Sequence, residues 1–315
     1  MKISNNRSDV FSDIHPCYKI DASYLLSSNP SSLCALFHIF LGSLSVVTVC
    51  GNLLVIISII YFKQLHTPTN SLVLSLAVTD LLVGVLVYPL TMEFSISSCR
   101  YNNGLFCKVS SFDITLCTSS IMNLCCISID RYYAVCQPLT YRTKINHYAV
   151  VVMILVSWTV SVITGNAFSF AEVETHSVNV TANIMSFIFV FYLPVIIMLC
   201  IYLKILLVAQ RQARSIQNTK SGATVSKMER KATKTLAIVM GVFLMCWFPF
   251  FFCVTFLSFI MSIPVAVLET LNWLVFSNSM LNPFIYAFFY SWFRSAFKMI
   301  ISGKIFQGDF TNSKL

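Results

Sequence analysis

Charged side chains are scarce in this chain. Only 10% of its 315 residues are Asp, Glu, Lys or Arg, whereas 57% are hydrophobic and the mean hydropathy is +0.78. A soluble domain is typically about a quarter charged. The composition therefore excludes an ordinary soluble protein and indicates one that a lipid bilayer surrounds.

The sequence features of several function classes are also missing. The chain has no repeat of fixed period and no pair of matching halves, which argues against an inverted-repeat transporter. A transporter or channel would also need paired or repeated charges along its path, and the apolar stretches contain only Asp80 and Asp113. No HExxH, GxSxG or phosphate-binding loop occurs at a membrane boundary, so an enzyme is not expected.

Seven long stretches with almost no charge dominate what remains. Each has room for the roughly 20 apolar residues that a helix needs to cross the hydrocarbon. The stretches are Ala22–Phe62, Gln64–Met92, Val109–Ile129, Tyr148–Ala171, Thr175–Leu203, Thr235–Leu268 and Thr270–Phe293. We therefore predict an all-α membrane protein, a bundle of seven transmembrane helices.

The distribution of basic residues predicts the orientation of this bundle. With the amino terminus outside, 16 of the 21 Lys and Arg residues fall in the cytoplasm, as the positive-inside rule requires. The net charge of +9 then serves orientation and the inner membrane face, so nucleic acid is not an expected partner. Asn6 and Asn179 begin sequons that lie outside in this topology, and both are predicted glycosylation sites.

The chain divides into four predicted parts. Residues 1–33 form an extracellular tail, 34–290 the bundle, 291–303 a short amphipathic eighth helix on the inner membrane surface, and 304–315 a cytoplasmic tail. A frayed tail with aromatic residues is the alternative for 291–303. The first apolar stretch begins after a polar tail and is too long for a signal-peptide core, so no cleaved signal is expected.

Asp113 is the one charged residue between Val109 and Ile129. A carboxylate inside the membrane costs about 3 kcal/mol unless a partner offsets it. No Lys or Arg occurs in the outer half of any other helix, and His38, the one internal candidate, is mostly neutral at pH 7 when unperturbed. We therefore expect a protonated amine from solution to be the partner. The alternative is a carboxyl that burial keeps protonated, or one paired within the protein.

The helical spacing of the third stretch places Asp113 and Arg131 on one face, about 27 Å apart. Asp113 then lies near the outer mouth and Arg131 at the inner membrane surface.

Aromatic rings around Pro249 and in the seventh helix suit both a cation and an aryl or alkyl body. The predicted pocket comprises Asp113, Ile114, Cys117, Ser186, Trp247, Phe250, Phe251, Trp273 and Phe276. For any single ring the alternative is lipid contact or core packing, and Ser186 could instead bond its own helix.

Asp80 is a second buried acid, in the second helix. Its predicted polar neighbours at mid-membrane are Asn52, Ser120, Asn278, Ser279 and Asn282. One carboxylate among several neutral oxygens suits a small hard cation such as sodium. A water-filled hydrogen-bond network is the alternative, and both can hold together.

The inner ends of two helices carry opposite charges. Asp130, Arg131 and Tyr132 end the third helix, and Glu229 begins the sixth. A pair between Arg131 and Glu229 would hold the helix ends together, and breaking it would open a cytoplasmic crevice. Such a two-state element is what a switch requires.

These residues carry a family resemblance. The matching motifs are Gly51-Asn52, LSLAVTD, DRYYAV, Trp158, Pro194, Tyr202, CWFPF and NPFIY. In this order they resemble the rhodopsin-like (class A) G-protein-coupled receptors over almost the whole chain. Asp113 is similar to the ammonium-binding aspartate of aminergic receptors. The run NSMLNPFIYAFFYSWF is similar to the seventh-helix fingerprint of trace amine-associated receptors.

The resemblance implies a plasma-membrane amine receptor, in many members olfactory, that acts through a stimulatory heterotrimeric G protein. Arrestin and a receptor kinase would be further partners, besides membrane lipid. Arg131, Tyr202 and Tyr286 would rearrange as the sixth helix moves outward, and Trp247 would sense the ligand. A receptor for a neurotransmitter amine, or a divergent receptor with a lost or altered ligand response, are the alternatives.

The chain also departs from the family pattern. The seventh stretch has no Lys to bind retinal, which excludes an opsin, and residue 276 is Phe where aminergic receptors usually have a Tyr bonded to the aspartate. The second outer loop contains no cysteine for the usual disulfide with the third helix, so a pairing of Cys107 with Cys17 is predicted instead. Ser186 and Val190 stand where some members carry a second carboxylate for diamines, which favours a monoamine.

Overall fold

A computed structural model describes residues 32–96, 103–174, 187–216, 223–256 and 263–303. Within these residues the chain is helical apart from turns and short connections, and they contain no strand. The predicted all-α fold class is confirmed.

Seven long helices run in chain order, and we number them first to seventh. The first is Ser32–Tyr61, the third Asn103–Cys136, the fourth His147–Glu174, the sixth Ala223–Thr255 and the seventh Val265–Phe289. The second helix is Pro68–Leu82, which a π-helical turn, Val83–Val87, and then Tyr88–Ile96 continue. The fifth begins with a π-helical turn, Ile188–Tyr192, and continues as Leu193–Ile216. Shorter helices are Lys63–Leu65, of 3-10 type, Pro138–Lys144 in the second inner loop, and Ser291–Ile301 after the seventh helix.

The seven helices close into a bundle. The first helix packs on the second and the seventh, the fifth on the sixth, and the sixth on the seventh. The third helix is central, since it contacts the second, fourth and fifth. Within the described residues, the first six helices are long and apolar enough to cross a membrane. The seventh has 25 residues and carries Asn278, Ser279 and Asn282, all three of which face the interior of the bundle.

Apolar side chains cover the outside of the bundle and polar ones lie within. Ile60, Ile163, Met245 and other large apolar residues are exposed to the surroundings, whereas Asp80 and sixteen other polar or charged residues are buried. Lipid solvates apolar side chains and cannot solvate polar ones. A bilayer therefore stabilises a bundle with apolar residues outside and polar residues inside.

The eighth helix, Ser291–Ile301, is amphipathic as predicted. Phe293 and Ala296 are buried against the inner end of the first helix, whereas Lys298 is exposed. Tyr290, with extended backbone, separates it from the seventh helix. The Arg294 guanidinium donates to the carbonyls of Ala287 and Phe288 at 3.1 and 2.9 Å, and so caps the seventh helix.

A close contact between the third and fourth helices fixes how the third helix is turned. The Ser111 hydroxyl donates to the Gly165 carbonyl at 2.9 Å. A Cβ atom at Gly165 would lie 1.9 Å from the Thr115 Oγ1 and 2.8 Å from the Ser111 carbonyl oxygen. Ser111 and Thr115 flank Asp113, so glycine at 165 lets the helices approach with the carboxylate turned into the bundle.

We expect Gly165→Ala to destabilise the folded bundle. Overpacking of this kind costs about 1–3 kcal/mol, which corresponds to a melting temperature lower by roughly 3–10 °C for a domain of this size. The measurement is thermal unfolding of the purified protein in detergent. Gly241→Ala is the matched control, because nothing lies within 4 Å of a Cβ atom there. Equal melting temperatures for the two variants would contradict the role assigned to Gly165.

Candidate functional site

Asp113 lies on the inward face of the third helix and is partly buried. The Cys117 thiol, one turn below, donates to its Oδ1 atom at 3.2 Å. Among the side chains that the structure describes, the one ion pair joins Arg131 to Asp130, and no basic group contacts Asp113. The side chain of His38 lies outside the described residues. Among the described residues, the carboxylate therefore has one weak neutral donor, on one of its oxygens, and no positively charged partner.

Aromatic rings of the fifth and sixth helices form one wall in the interior of the bundle, within the apolar cluster that also includes Cys117. Phe191 and Phe251 stack at 3.9 Å between ring centroids with an interplanar angle of 5°. Trp247 continues the stack at 6.0 Å from Phe251, and Phe250 meets Phe251 edge-on at 5.5 Å. Pro249 lies within the sixth helix between these rings. The predicted Trp247, Phe250 and Phe251 are thus brought together, and Phe191 was missed.

Three rings of the second and seventh helices form a second wall in the same cluster. Tyr88, Trp273 and Phe276 are in mutual contact, with centroids 5.5, 5.7 and 5.6 Å apart. All three are buried. Trp273 and Phe276 were predicted as pocket residues, whereas Tyr88 was not. Its inward position depends on the π-helical turn just before it, which regular 3.6-residue spacing does not foresee.

Asp80 anchors a polar cluster deeper in the membrane. The Asn282 amide donates to its Oδ2 atom at 2.7 Å, and the Asn52 amide donates to the Ser279 carbonyl at 3.1 Å. Four polar atoms of the predicted cluster are buried without a hydrogen-bond partner in the protein: Asp80 Oδ1, Asn52 Oδ1, Ser120 Oγ and Asn278 Oδ1. Buried polar atoms are normally satisfied. Orphaned oxygens from four different residues indicate that this cluster receives its remaining partners from water or from an ion.

A second buried network surrounds Arg131 at the cytoplasmic end. Its guanidinium pairs with the neighbouring Asp130 through Nη2 and Nε, the latter at 2.8 Å, and Nη2 also donates to Thr69 Oγ1 at 2.6 Å. Asp130 is fully buried and accepts further hydrogen bonds from the hydroxyls of Thr69 at 3.0 Å and Tyr141 at 2.9 Å. Thr69 and Tyr141 were missed by sequence reasoning, since each is an ordinary polar residue of a loop or helix end.

Tyr141 belongs to the inner-loop helix Pro138–Lys144, outside the membrane-spanning segments. The pKa of the Tyr141 hydroxyl is raised, mainly because the side chain is partly buried. The hydroxyl is therefore neutral at physiological pH and donates a hydrogen bond to Asp130. The inner loop is thereby tied to the third helix through the same carboxylate that holds Arg131.

Two further predicted switch residues lie between these networks. The Tyr202 hydroxyl of the fifth helix accepts a hydrogen bond from Ser128 of the third helix at 3.1 Å. Tyr286 of the seventh helix is buried and packs edge-on against Tyr290 at 6.0 Å. Both tyrosines therefore face the inner half of the bundle, where the helices that a switch would move come together.

Several predicted residues cannot be placed. Ser186, Asn6, Asn179 and Cys17 lie outside the described residues, as do the side chains of Cys107 and Glu229 within their helices. The glycosylation sites, the disulfide and the pair between Arg131 and Glu229 therefore stay predictions. Ile114, beside Asp113, is partly buried as a pocket residue should be.

Comparison with known proteins assigns the family. Residues 51–286 match the model of the 7 transmembrane receptor (rhodopsin family). The chain is 46% identical to trace amine-associated receptor 1 of Macaca mulatta over 298 residues, which cover 85% of this chain and 88% of the relative. It is 43% identical to trace amine-associated receptor 4 of Mus musculus over 311 residues, which cover 90% and 89%. The resemblance inferred from the motifs is confirmed, and with it a seven-helix signalling receptor rather than an enzyme. The chain belongs to the rhodopsin family of seven-transmembrane receptors and, within it, to the trace amine-associated receptors.

Proposed function

We propose that this receptor is activated by a protonated monoamine that enters from the extracellular side. The observation that carries the proposal is Asp113, a carboxylate inside the bundle whose described contacts include a thiol and no cation. An ammonium group would supply the missing positive charge through a charge-assisted hydrogen bond, which is strong where water is excluded.

The two aromatic walls suit the rest of such a ligand. The stacked rings of Phe191, Phe251 and Trp247 present faces that attract a cation and apolar area that buries an aryl or alkyl body. Val190 of the fifth helix is apolar, and the outer part of that helix offers no described carboxylate to a second ammonium group. A ligand with one charge is therefore favoured over a diamine.

We further propose that a sodium ion occupies the Asp80 cluster. The residues present fit a small hard cation, because one carboxylate and several neutral oxygens are the ligands such ions prefer, and four of these polar atoms are orphaned in the protein. Asp80, Asn52, Ser120, Asn278 and Ser279 would hold the ion or its water shell, while Asn282 orients the carboxylate. The ion would supply a positive charge that stabilises the ionised form of Asp80 at mid-membrane.

The cytoplasmic network supports a resting state from which signalling starts. Arg131 is held by Asp130 and Thr69, and the inner loop is attached through Tyr141. Activation would require Arg131 to leave Asp130 and Thr69 and turn toward a heterotrimeric G protein as the sixth helix moves outward, and a stimulatory subtype is proposed from the family. A plasma-membrane location with the amino terminus outside, and a role in olfaction, belong to the same proposal, as do later contacts with a receptor kinase and arrestin.

Asp113→Asn should greatly weaken the amine response. The amide keeps the volume and removes the charge, and losing one partner of a buried charge pair costs about 2–5 kcal/mol, so amine potency should fall roughly 30-fold or more. The measurement is cyclic AMP accumulation in transfected cells across a panel of biogenic and volatile amines.

The matched control is Cys117→Ala, which keeps the carboxylate and removes its thiol donor. We expect a much smaller change there, because a thiol is a weak donor. Surface expression of each variant, measured by an amino-terminal tag, separates lost binding from lost protein. If an agonist amine were equally potent on wild type and Asp113→Asn, the proposed anchor would be wrong. Binding of amines without cyclic AMP would instead favour a receptor with altered coupling.

Tyr141→Phe should raise basal signalling. The substitution removes the hydroxyl that donates to the buried Asp130, and a hydrogen bond to a charged group contributes about 1.5–3 kcal/mol. The resting arrangement is weakened, so cyclic AMP without agonist should increase. Tyr148→Phe is the matched control, since Tyr148 is 78% exposed. An unchanged basal level at equal expression would argue against a holding role for Tyr141.

A further inference from the structure

Tyr192 of the fifth helix and Thr255 of the sixth are hydrogen-bonded to each other. Their hydroxyl oxygens lie 2.6 Å apart. The Thr255 hydroxyl donates to the Phe251 carbonyl of its own helix, so its hydrogen is engaged and Tyr192 is the donor to Thr255. The Phe251 carbonyl lies 3.3 Å from the Tyr192 hydroxyl and accepts a weaker share of the same hydrogen. Lipid offers a hydroxyl no partner, so these contacts between the helices are what satisfies the pair.

Two neighbouring rings of the fifth helix contact the same ring of the sixth. Phe191 stacks on Phe251 at 3.9 Å between ring centroids, and Tyr192 meets Phe251 edge-on at 6.5 Å. Consecutive residues of a helix point about 100° apart, so the two rings hold Phe251 from different sides. Phe191 is buried and Tyr192 partly buried, so the hydroxyl pair lies nearer the periphery of the bundle than the stacked rings do.

The backbone of both helices is irregular at this contact. In the fifth helix, the Leu193 amide donates to the Ile188 carbonyl five residues earlier and closes the π-helical turn that ends at Tyr192. In the sixth, Pro249 has no amide hydrogen, so one of the bonds that would tie the outer part of the helix to the preceding turn is missing. The turn that carries Phe251 is therefore held less by its own helix, and the bonds to the fifth helix contribute more to its position.

We propose that Tyr192 and Thr255 are positioning residues that fix the Phe251 ring and thereby set a preference for amines that carry an aryl group. The inference rests on the amine pocket proposed above and adds to it two residues outside the predicted set. Phe251 lies in the apolar cluster that includes Cys117, the donor to Asp113. An aryl group gains from an ordered ring, because aromatic pairs depend on geometry as well as on buried area. A small alkyl amine depends mainly on the carboxylate.

Tyr192→Phe tests this role because it keeps the ring and removes the hydroxyl. Purified receptor in detergent is unfolded by heat over a range of concentrations of 2-phenylethylamine or of butylamine, which carry the same ammonium group. In the variant, the 2-phenylethylamine concentration for half-maximal stabilisation should rise about three- to fivefold, the contribution of one hydrogen bond between membrane helices. The butylamine concentration should change by less than about twofold, because an alkyl chain makes no ring pair with Phe251.

Two threonine variants are the matched tests of the bond itself. Thr255→Val removes the acceptor and should shift the ratio of the two half-maximal concentrations in the same direction as Tyr192→Phe. The double variant should shift it no further than Tyr192→Phe alone, because both changes act through one bond. Thr164→Val is the control, since its hydroxyl bonds only the Val160 carbonyl of its own helix at 2.8 Å, and it should leave the ratio as in wild type.

The outcomes separate this inference from the proposed amine pocket. A lower melting temperature in Tyr192→Phe with an unchanged ratio would make Tyr192 purely structural and overturn the inference, and so would additive shifts in the double variant. If Asp113→Asn weakened the binding of both amines while Tyr192→Phe left the ratio unchanged, the amine pocket would stand and this inference alone would fall. No stabilisation of the wild-type receptor by either amine would overturn both.

Discussion

The inability of lipid to solvate polar groups is the constraint on which this structure depends. It turns Asp80, Asp113 and Asn282 toward the interior of the bundle and leaves apolar side chains such as Met245 outside. It also makes an interior charge without a counter-charge unfavourable. The low dielectric of the interior strengthens an ion pair, and for the same reason it raises the free energy of a charge that has no partner. The central third helix, which carries both Asp113 and Arg131, is therefore where partners matter most.

The polar groups differ in how far the protein itself satisfies them. At the cytoplasmic end both oxygens of Asp130 accept hydrogen bonds, from Arg131, Thr69 and Tyr141, so this network is closed. At mid-membrane Asp80 has one bonded oxygen and one orphan, and nearer the outside Asp113 has a thiol donor. The polar groups at the cytoplasmic end, which a G protein would have to separate, thus have hydrogen-bond partners within the protein. Those nearer the outside, which small ligands would reach, have fewer partners. This is the arrangement expected of a resting receptor.

Sequence reasoning succeeded where a single regular period decides the outcome. Uncharged runs gave the helices, and 3.6-residue spacing placed Asp113 and Cys117 on one face, where they now form a hydrogen bond. It failed where the period breaks or where a side chain must choose among partners. The π-helical turn before Tyr88 shifts the register by one residue. Thr69 and Tyr141 complete the bonds of Asp130, and no periodic pattern in the sequence marks either residue.

Phe276 links these observations to the chemistry of the pocket. Aminergic receptors usually carry a tyrosine at this position whose hydroxyl bonds the ammonium-binding carboxylate. Here the ring is present without the hydroxyl, and it packs on Tyr88 at 5.7 Å between ring centroids. A thiol is a weaker hydrogen-bond donor than a phenol, so Asp113 is stabilised less by its own protein than the carboxylate of those receptors is. Phenylalanine at position 276 thus leaves the Cys117 thiol as the described donor to Asp113, which agrees with the positively charged ligand proposed above.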